Sequence, residues 1–199
     1  SAVSNVTAEL MDIITDGADE EADEALRERF YEKVRNPATS GNKHHYRQWA
    51  LEVPGVGDAK VFPLDSGDGT LTVLIVDVDK ARNPSLEPAV RDYIETVRPI
   101  GATVTVSSPT MRSVNVSANV ILDGTKTLDD VLAMFKSQFT EYLKSLVFVE
   151  YRVSYAKIGS LLLNIEGVQD YDDLRLNNST GNIIVGEKEI PAMGTVSLE

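Results

Sequence analysis

Cysteine is absent from this chain of 199 residues, histidine occurs twice and tryptophan once. The first absence excludes a disulfide framework and a thiolate metal site, and it fits a reducing compartment. The two histidines, His44 and His45, are adjacent, so they diverge on a helix and offer no zinc-ligand spacing. Basic residues are scarce as well. Nineteen Lys and Arg against 31 Asp and Glu leave a formal net charge of −12, a field that repels phosphate backbones and anionic bilayers. Neither nucleic acid nor a membrane is therefore an expected partner. No apolar stretch is long enough to span a bilayer, and none reads as a signal peptide. The chain opens at Ser1 without an initiator Met, which reads as an internal start within a longer protein. Leu198-Glu199 reads as an appended remnant.

What is present is ordinary for a globular chain: 42% hydrophobic and 25% charged residues, enough for one large core or two small ones. The most informative pattern is a repeat. Val53-Pro54-Gly55-Val56-Gly57-Asp58, with Gly69 opening Thr70-Leu71-Thr72-Val73, is echoed by Ile165-Glu166-Gly167-Val168-Gln169-Asp170, with Gly181 opening Asn182-Ile183-Ile184-Val185. The offsets 167 − 55 and 181 − 69 are both 112, which points to a duplicated structural unit. Residues 44 to 76 are expected to superpose on 156 to 188.

Local signals fill in the elements. Asp16 or Asp19 caps a helix to about Arg35, because Glu20, Glu21, Asp23 and Glu24 crowd its start while Arg27, Arg29, Lys33 and Arg35 fill its end. A Pro/Ser/Gly/Asn loop over 36–42 leads to a short helix with Tyr46, Trp49, Ala50 and Val53 on one face. Ala59 to Leu64 and Thr70 to Val76 read as a hairpin. Ser85 to Val97 is a helix with Val90, Tyr93, Ile94 and Val97 inward, and it crosses over to a strand at Thr103 to Val106. Val114 to Leu122 alternates as a strand with one wet face. Thr127-Leu128-Asp129-Asp130 is a capping-box variant opening a long amphipathic helix through Leu146. Another short helix, about Tyr155 to Asn164, precedes the second copy of the repeat. Val34 plus 112 lands on Leu146, so the longer helices correspond as well. Short strand sets with helices between them define an α+β class, two related small subdomains with short mixed or antiparallel sheets. The boundary falls near Ser107 to Thr110, giving 1–108 and 109–199.

Several constellations invite chemistry. Leu64-Asp65-Ser66-Gly67 resembles an aspartic-protease signature, which needs two carboxylates sharing a proton. The repeat places Asn177 at the second position, so only a homodimer of the retroviral type would pair two copies of Asp65. Turn composition is the cheaper account. Asp58 and Asp170 are the repeated carboxylates, expected to accept backbone N–H bonds in their turns. Asp77 and Asp79 have Asp-x-Asp spacing, but Lys80, Ala81 and Arg82 follow where a calcium loop supplies oxygen ligands and glycine. Gly55-x-Gly57 and Gly67-x-Gly69 lead into strands, not the helix a phosphate loop requires. Lys43, His44, His45 and Arg47 form the wet side of a helix whose Tyr46 and Trp49 face a core. A carbohydrate module would expose tryptophan, whereas Trp49 is expected buried. The acidic run Asp19 to Glu24 reads as a solvated helix start that could also face a basic partner.

Gly17-Ala18-Asp19-Glu20-Glu21-Ala22-Asp23-Glu24-Ala25-Leu26-Arg27-Glu28-Arg29, then Pro37-Ala38-Thr39-Ser40-Gly41-Asn42 and His45-Tyr46-Arg47-Gln48-Trp49-Ala50, resembles the baseplate J-like family of contractile-tail phages. The likeness continues through Val53 to Val61 and Arg98-Pro99-Ile100-Gly101-Ala102. It covers residues 16 to 106 and weakens toward the end. The resemblance implies a structural wedge protein of the tail baseplate, from a phage, a prophage or a phage-like element. Such proteins surround a central hub and transmit the trigger for sheath contraction. Expected partners are other baseplate and tail proteins and further copies of itself. The expected location is the virion tail, assembled in the bacterial cytoplasm. The resemblance brings no catalytic, metal or cofactor residues. The rival reading is a homodimeric retroviral-type aspartic protease using Asp65.

Overall fold

The computed structural model describes residues 41–199, together with residues 23, 24, 26, 27, 30 and 31. Residues 1–37 and 38–199 are separate compact units. In the first, the six described residues are helical and Arg27 pairs with Glu24 at 3.5 Å. The ends of the helix expected from Asp16 or Asp19 to Arg35, the 36–40 part of its loop and the match of Val34 to Leu146 lie outside the described residues.

The second unit opens with α1 (Lys43–Glu52), whose N-cap Asn42 accepts a bond from the backbone N–H of His45 at 2.9 Å. Tyr46, Trp49 and Ala50 are buried on one face, as the i, i+3, i+4 spacing requires. Trp49 is only 7% exposed. Pro54 disfavours helical backbone at Val53, which is extended, and Gly55 at φ +93° completes the turn. β1 (Val56–Pro63) pairs antiparallel with β2 (Thr70–Asp77), and β2 pairs parallel with β3 (Thr103–Ser107). Between β2 and β3, a 3-10 turn and α2 (Glu87–Val97) make the crossover that parallel pairing needs. Val90 and Ile94 of α2 are buried, but Val97 is exposed, since helix and core end together at Arg98.

β2 is the central strand and all of Val73 to Val76 is buried. Val73 and Ile75 face the core with α1 and α2, whereas Val76 joins Val147 and Ile190 in a small cluster backed by Phe148. A strand covered on both faces reads as a continuous apolar run, and Leu71 to Val76 shows one, interrupted only by Thr72.

The remaining elements enclose a second, larger core. β4 (Thr110–Leu122) lies between β6 (Val168–Leu176), antiparallel to it, and β8 (Glu189–Leu198), parallel to it. Val114, Val116 and Ala118 point inward at period two. α3 (Leu128–Leu146) covers this sheet, with Phe135 and Phe139 stacked at 5.6 Å and both fully buried. Its capping box is complete: the Thr127 hydroxyl accepts from the Asp130 N–H, and the Asp130 carboxylate accepts from the Thr127 N–H. The Thr127 hydroxyl, which also donates to the Asp130 carboxylate at 2.7 Å, and then the Thr127 N–H hold that carboxyl below the usual carboxylate range. β5 (Arg152–Val153), α4 (Tyr155–Leu163) and β7 (Ile183–Ile184) complete the chain. Leu198 is buried, and Glu199 exchanges backbone bonds with Ala118 and Val120.

The repeat holds through a helix–turn–strand element. Asn42 and Ser154 cap α1 and α4 in the same way, each accepting from the N–H three residues on. Gly55 and Gly167 adopt φ +93° and +97° in turns closed by the bonds Val56 N–H to Val53 C=O and Val168 N–H to Ile165 C=O. The equivalence ends after β6. Gly69 is left-handed and Gly181 is not, and β7 is two residues long and pairs with β5 rather than β6. The expected superposition of 156–188 on 44–76 therefore fails in its last third. The reason is β4, whose long alternating face occupies the edge of β6 that a hairpin partner would need.

Candidate functional site

Asp65 sits in the β1–β2 turn, following Leu64 at φ +56°. Its carboxylate accepts bonds from Lys188 Nζ at 2.5 and 2.7 Å and from the Thr72 hydroxyl at 2.7 Å. The Lys188 ammonium, with Thr72, holds the carboxyl below the usual range. A shared-proton pair needs the opposite, one carboxyl raised so that it stays protonated. Asn177, the repeat counterpart, is built into the second sheet: its amide accepts from Asn115 N–H at 2.8 Å and donates to Ser113 C=O at 3.0 Å. That two-way bond needs an amide, because a carboxylate has no proton to donate.

The other expected sites are absorbed by local structure. Asp77 accepts the N–H groups of Asp79 and Ala81 in a turn, and Asp79 pairs with Lys144 at 3.7 Å. His45 accepts from the Gly41 N–H and lies against the Trp49 ring at 3.8 Å. Gly57 is required by close approach rather than by a ligand, since a Cβ there would stand 2.2 Å from the Asp77 carbonyl oxygen. Gly67 and Gly69 supply the left-handed turn of the hairpin. Among the described residues no helix is long and apolar enough to cross a membrane.

Asp58 does more than its turn demands. Besides the Ala59 N–H, it accepts from Arg47 at 2.9 Å and from Lys80 at 2.6 Å, with its side chain 13% exposed. Asp170 accepts the Tyr171 N–H in the same way and stands exposed. The difference comes from neighbours that the repeat does not share. Arg47, His44 and Lys43 on α1, residues 58–61 of β1 and the Phe148-Val149 turn after α3 line a cleft of about 320 Å³. Lys60 reaches across its floor to the Tyr151 hydroxyl and lies 4.2 Å from that ring's centre. A second groove of about 150 Å³ runs between the 79–82 loop, α3 and the Pro191–Met193 part of β8. Both lie along the seam joining the two cores, where Asp65 to Lys188 and Asp79 to Lys144 are the ion pairs. The sequence flagged Arg47, Asp58 and Lys43, but their convergence with Phe148 and Lys60 had no sequence signal.

Two small α+β cores in tandem define the fold of residues 41–199. Two family models match in order, the Baseplate J-like central domain over residues 38–108 and the Baseplate J-like protein C-terminal domain over 114–199. The chain belongs to the baseplate J-like family. It is 34% identical to the phage-like element PBSX protein XkdT of Bacillus subtilis, over 96% of this chain and 58% of that protein. It is 30% identical to the baseplate protein gp47 of Escherichia phage Mu, over 90% of this chain and 52% of that one. The chain thus spans little more than half the length of these relatives. Its fold is similar to a chain in the cryo-EM structure of the anti-feeding prophage baseplate, 6-fold symmetrised. The TM-score is 0.62 at 15% identity, covering 87% of this chain and 42% of that one.

Proposed function

We propose that this chain is a structural component of a contractile phage or phage-like tail baseplate, a wedge protein acting through protein–protein assembly rather than catalysis. The observation that carries the reading is the tandem order of central and C-terminal family domains across the described fold. The names of the relatives, a baseplate protein and a phage-like element protein, support the setting. Its partners are then other baseplate proteins and further copies of itself, within the virion tail after assembly in the bacterial cytoplasm. The working division is 1–108 and 109–199; its boundary is supported by the two cores and by where the two family matches meet, while residues 1–37 form a compact unit of their own within the first part. No residue is assigned a catalytic, metal or cofactor role. The protease alternative draws no support from Asp65, whose carboxylate is tied to Lys188 within one chain.

The test is co-expression of the full-length protein with its neighbouring tail proteins, purified through one tag, beside deletion of its gene. Expected are co-purification of tail proteins and loss of assembled particles on deletion, restored equally by wild type and by Asp65→Asn. Recovery of the protein alone, with particles forming normally in its absence, overturns the assignment.

A further inference from the structure

We propose that the cleft between α1, β1 and the Phe148-Val149 turn receives the acidic open edge of β6 from a second copy of this chain. The proposal rests on self-association, one part of the functional reading above, and names the surfaces that perform it. At a net charge of −12, long-range repulsion opposes contacts between copies, and joining patches of opposite sign offsets it.

The chain carries both patches. Among the described residues the cleft lining holds Lys43 and Lys60 besides Asp58, whose carboxylate is already paired with Arg47 and with Lys80 beside the cleft, so Lys43 and Lys60 are cations that Asp58 does not neutralise. Lys43 is exposed and makes no ion pair among the described residues, and Val149 on the rim is 70% exposed. The opposite patch is β6, an edge strand of the β6-β4-β8 sheet. Asp170 and Asp172 are exposed along it, and Asp172 has no cationic partner among the described residues. Glu166 just before it pairs with Lys126 at 3.6 Å and Asp173 pairs with Arg175 at 2.8 Å, so the uncompensated charge of the strand is that of Asp170 and Asp172. Charges on an open edge prevent like edges from pairing, and here they also match the cleft in sign. A cleft on one copy against an edge on the next is a heterologous contact, which closes into a ring or continues as a filament according to the rotation between copies.

The experiment is sedimentation velocity on the 199-residue chain across concentration, at low and high salt. Wild type is expected to associate, and association to weaken on the order of tenfold between low salt and about 0.5 M salt, because exposed charges are screened within a few ångströms there. Lys43→Glu/Lys60→Glu in the cleft and Asp170→Lys/Asp172→Lys on the edge are each expected to leave a monomer. An equimolar mixture of the two variants is expected to associate again, since each supplies the surface that the other lacks. Lys43→Glu alone, at an exposed and unpaired position, gives the same direction of effect without risk to the fold, and circular dichroism reports folding for all. A wild type that stays monomeric at every concentration overturns the proposal, as does association indifferent to both variants, or a mixture that remains monomeric. None of these outcomes touches the baseplate assignment, which is read from particle assembly.

Discussion

Asp58 and Asp170 occupy the same position in two copies of one helix–turn–strand element, yet Asp58 is the hub of an ion-pair triad while Asp170, among the described residues, bonds only its neighbour's N–H. Asp65 and Asn177 differ in parallel, one tied across the seam to Lys188 and the other laced into β4. The comparison separates what a duplication carries from what it leaves open. Cap, turn and strand are local and survive in both copies. The polar side chains take whatever partners the surrounding sheet provides, and those surroundings diverged.

The sharpest ways to break this comparison lie in the cores, where the two regions differ most in size. Phe135→Ala in the larger core is expected to cost about 3–5 kcal/mol, and Val90→Ala beneath α2 less, because fewer buried atoms are lost. Chemical denaturation of both variants checks the order, and equal losses would mean that the two cores share the load. Next comes Gly57, whose Cβ has no room beside the Asp77 carbonyl, against its repeat counterpart Gln169, which is exposed. Gly57→Ala is expected to lower stability by about 1–3 kcal/mol, while Gln169→Ala stays within about 0.5 kcal/mol. A thermal melt distinguishes them.

The paired aspartates follow. Asp58→Asn removes charge-assisted bonds from a mostly buried carboxylate and is expected to cost about 1–3 kcal/mol, whereas Asp170→Asn falls within about 0.5 kcal/mol. Similar values for the two would show that the triad contributes nothing. The smallest effect is a pH dependence at the seam. The Asp65 carboxyl is held below its unfolded value, so its stabilisation is complete above that unfolded value. It is lost as pH falls toward the lower folded one. Asp65→Asn should lower stability slightly at neutral pH and flatten the acid limb in that window, so that the two proteins converge below it, which titration of the unfolding midpoint would check. An unchanged acid limb would place the Lys188 pair among the solvated contacts that contribute nothing.

Much of this was written in the chain because it depends on near neighbours. The period of Tyr46, Trp49 and Ala50, the box at Thr127 and Asp130 and the alternation from Val114 to Ala118 each satisfy backbone bonds or bury a face within a few residues. They can be read without knowing what lies across the core. The left-handed turns at Gly55 and Gly167 belong to the same class, and they made the duplication visible. What tertiary structure alone decided is which strand sits beside which. β4 took the edge of β6, so the second copy lost its hairpin and Asn177 became a rung of the sheet. β2 acquired a cover on its far face from Val147 and Ile190, and the turn after α3 came to rest beside α1 to form the cleft. Strand adjacency is settled by competition among segments far apart in the chain for the same open edge and the same apolar face. No spacing of residues along the sequence records who wins.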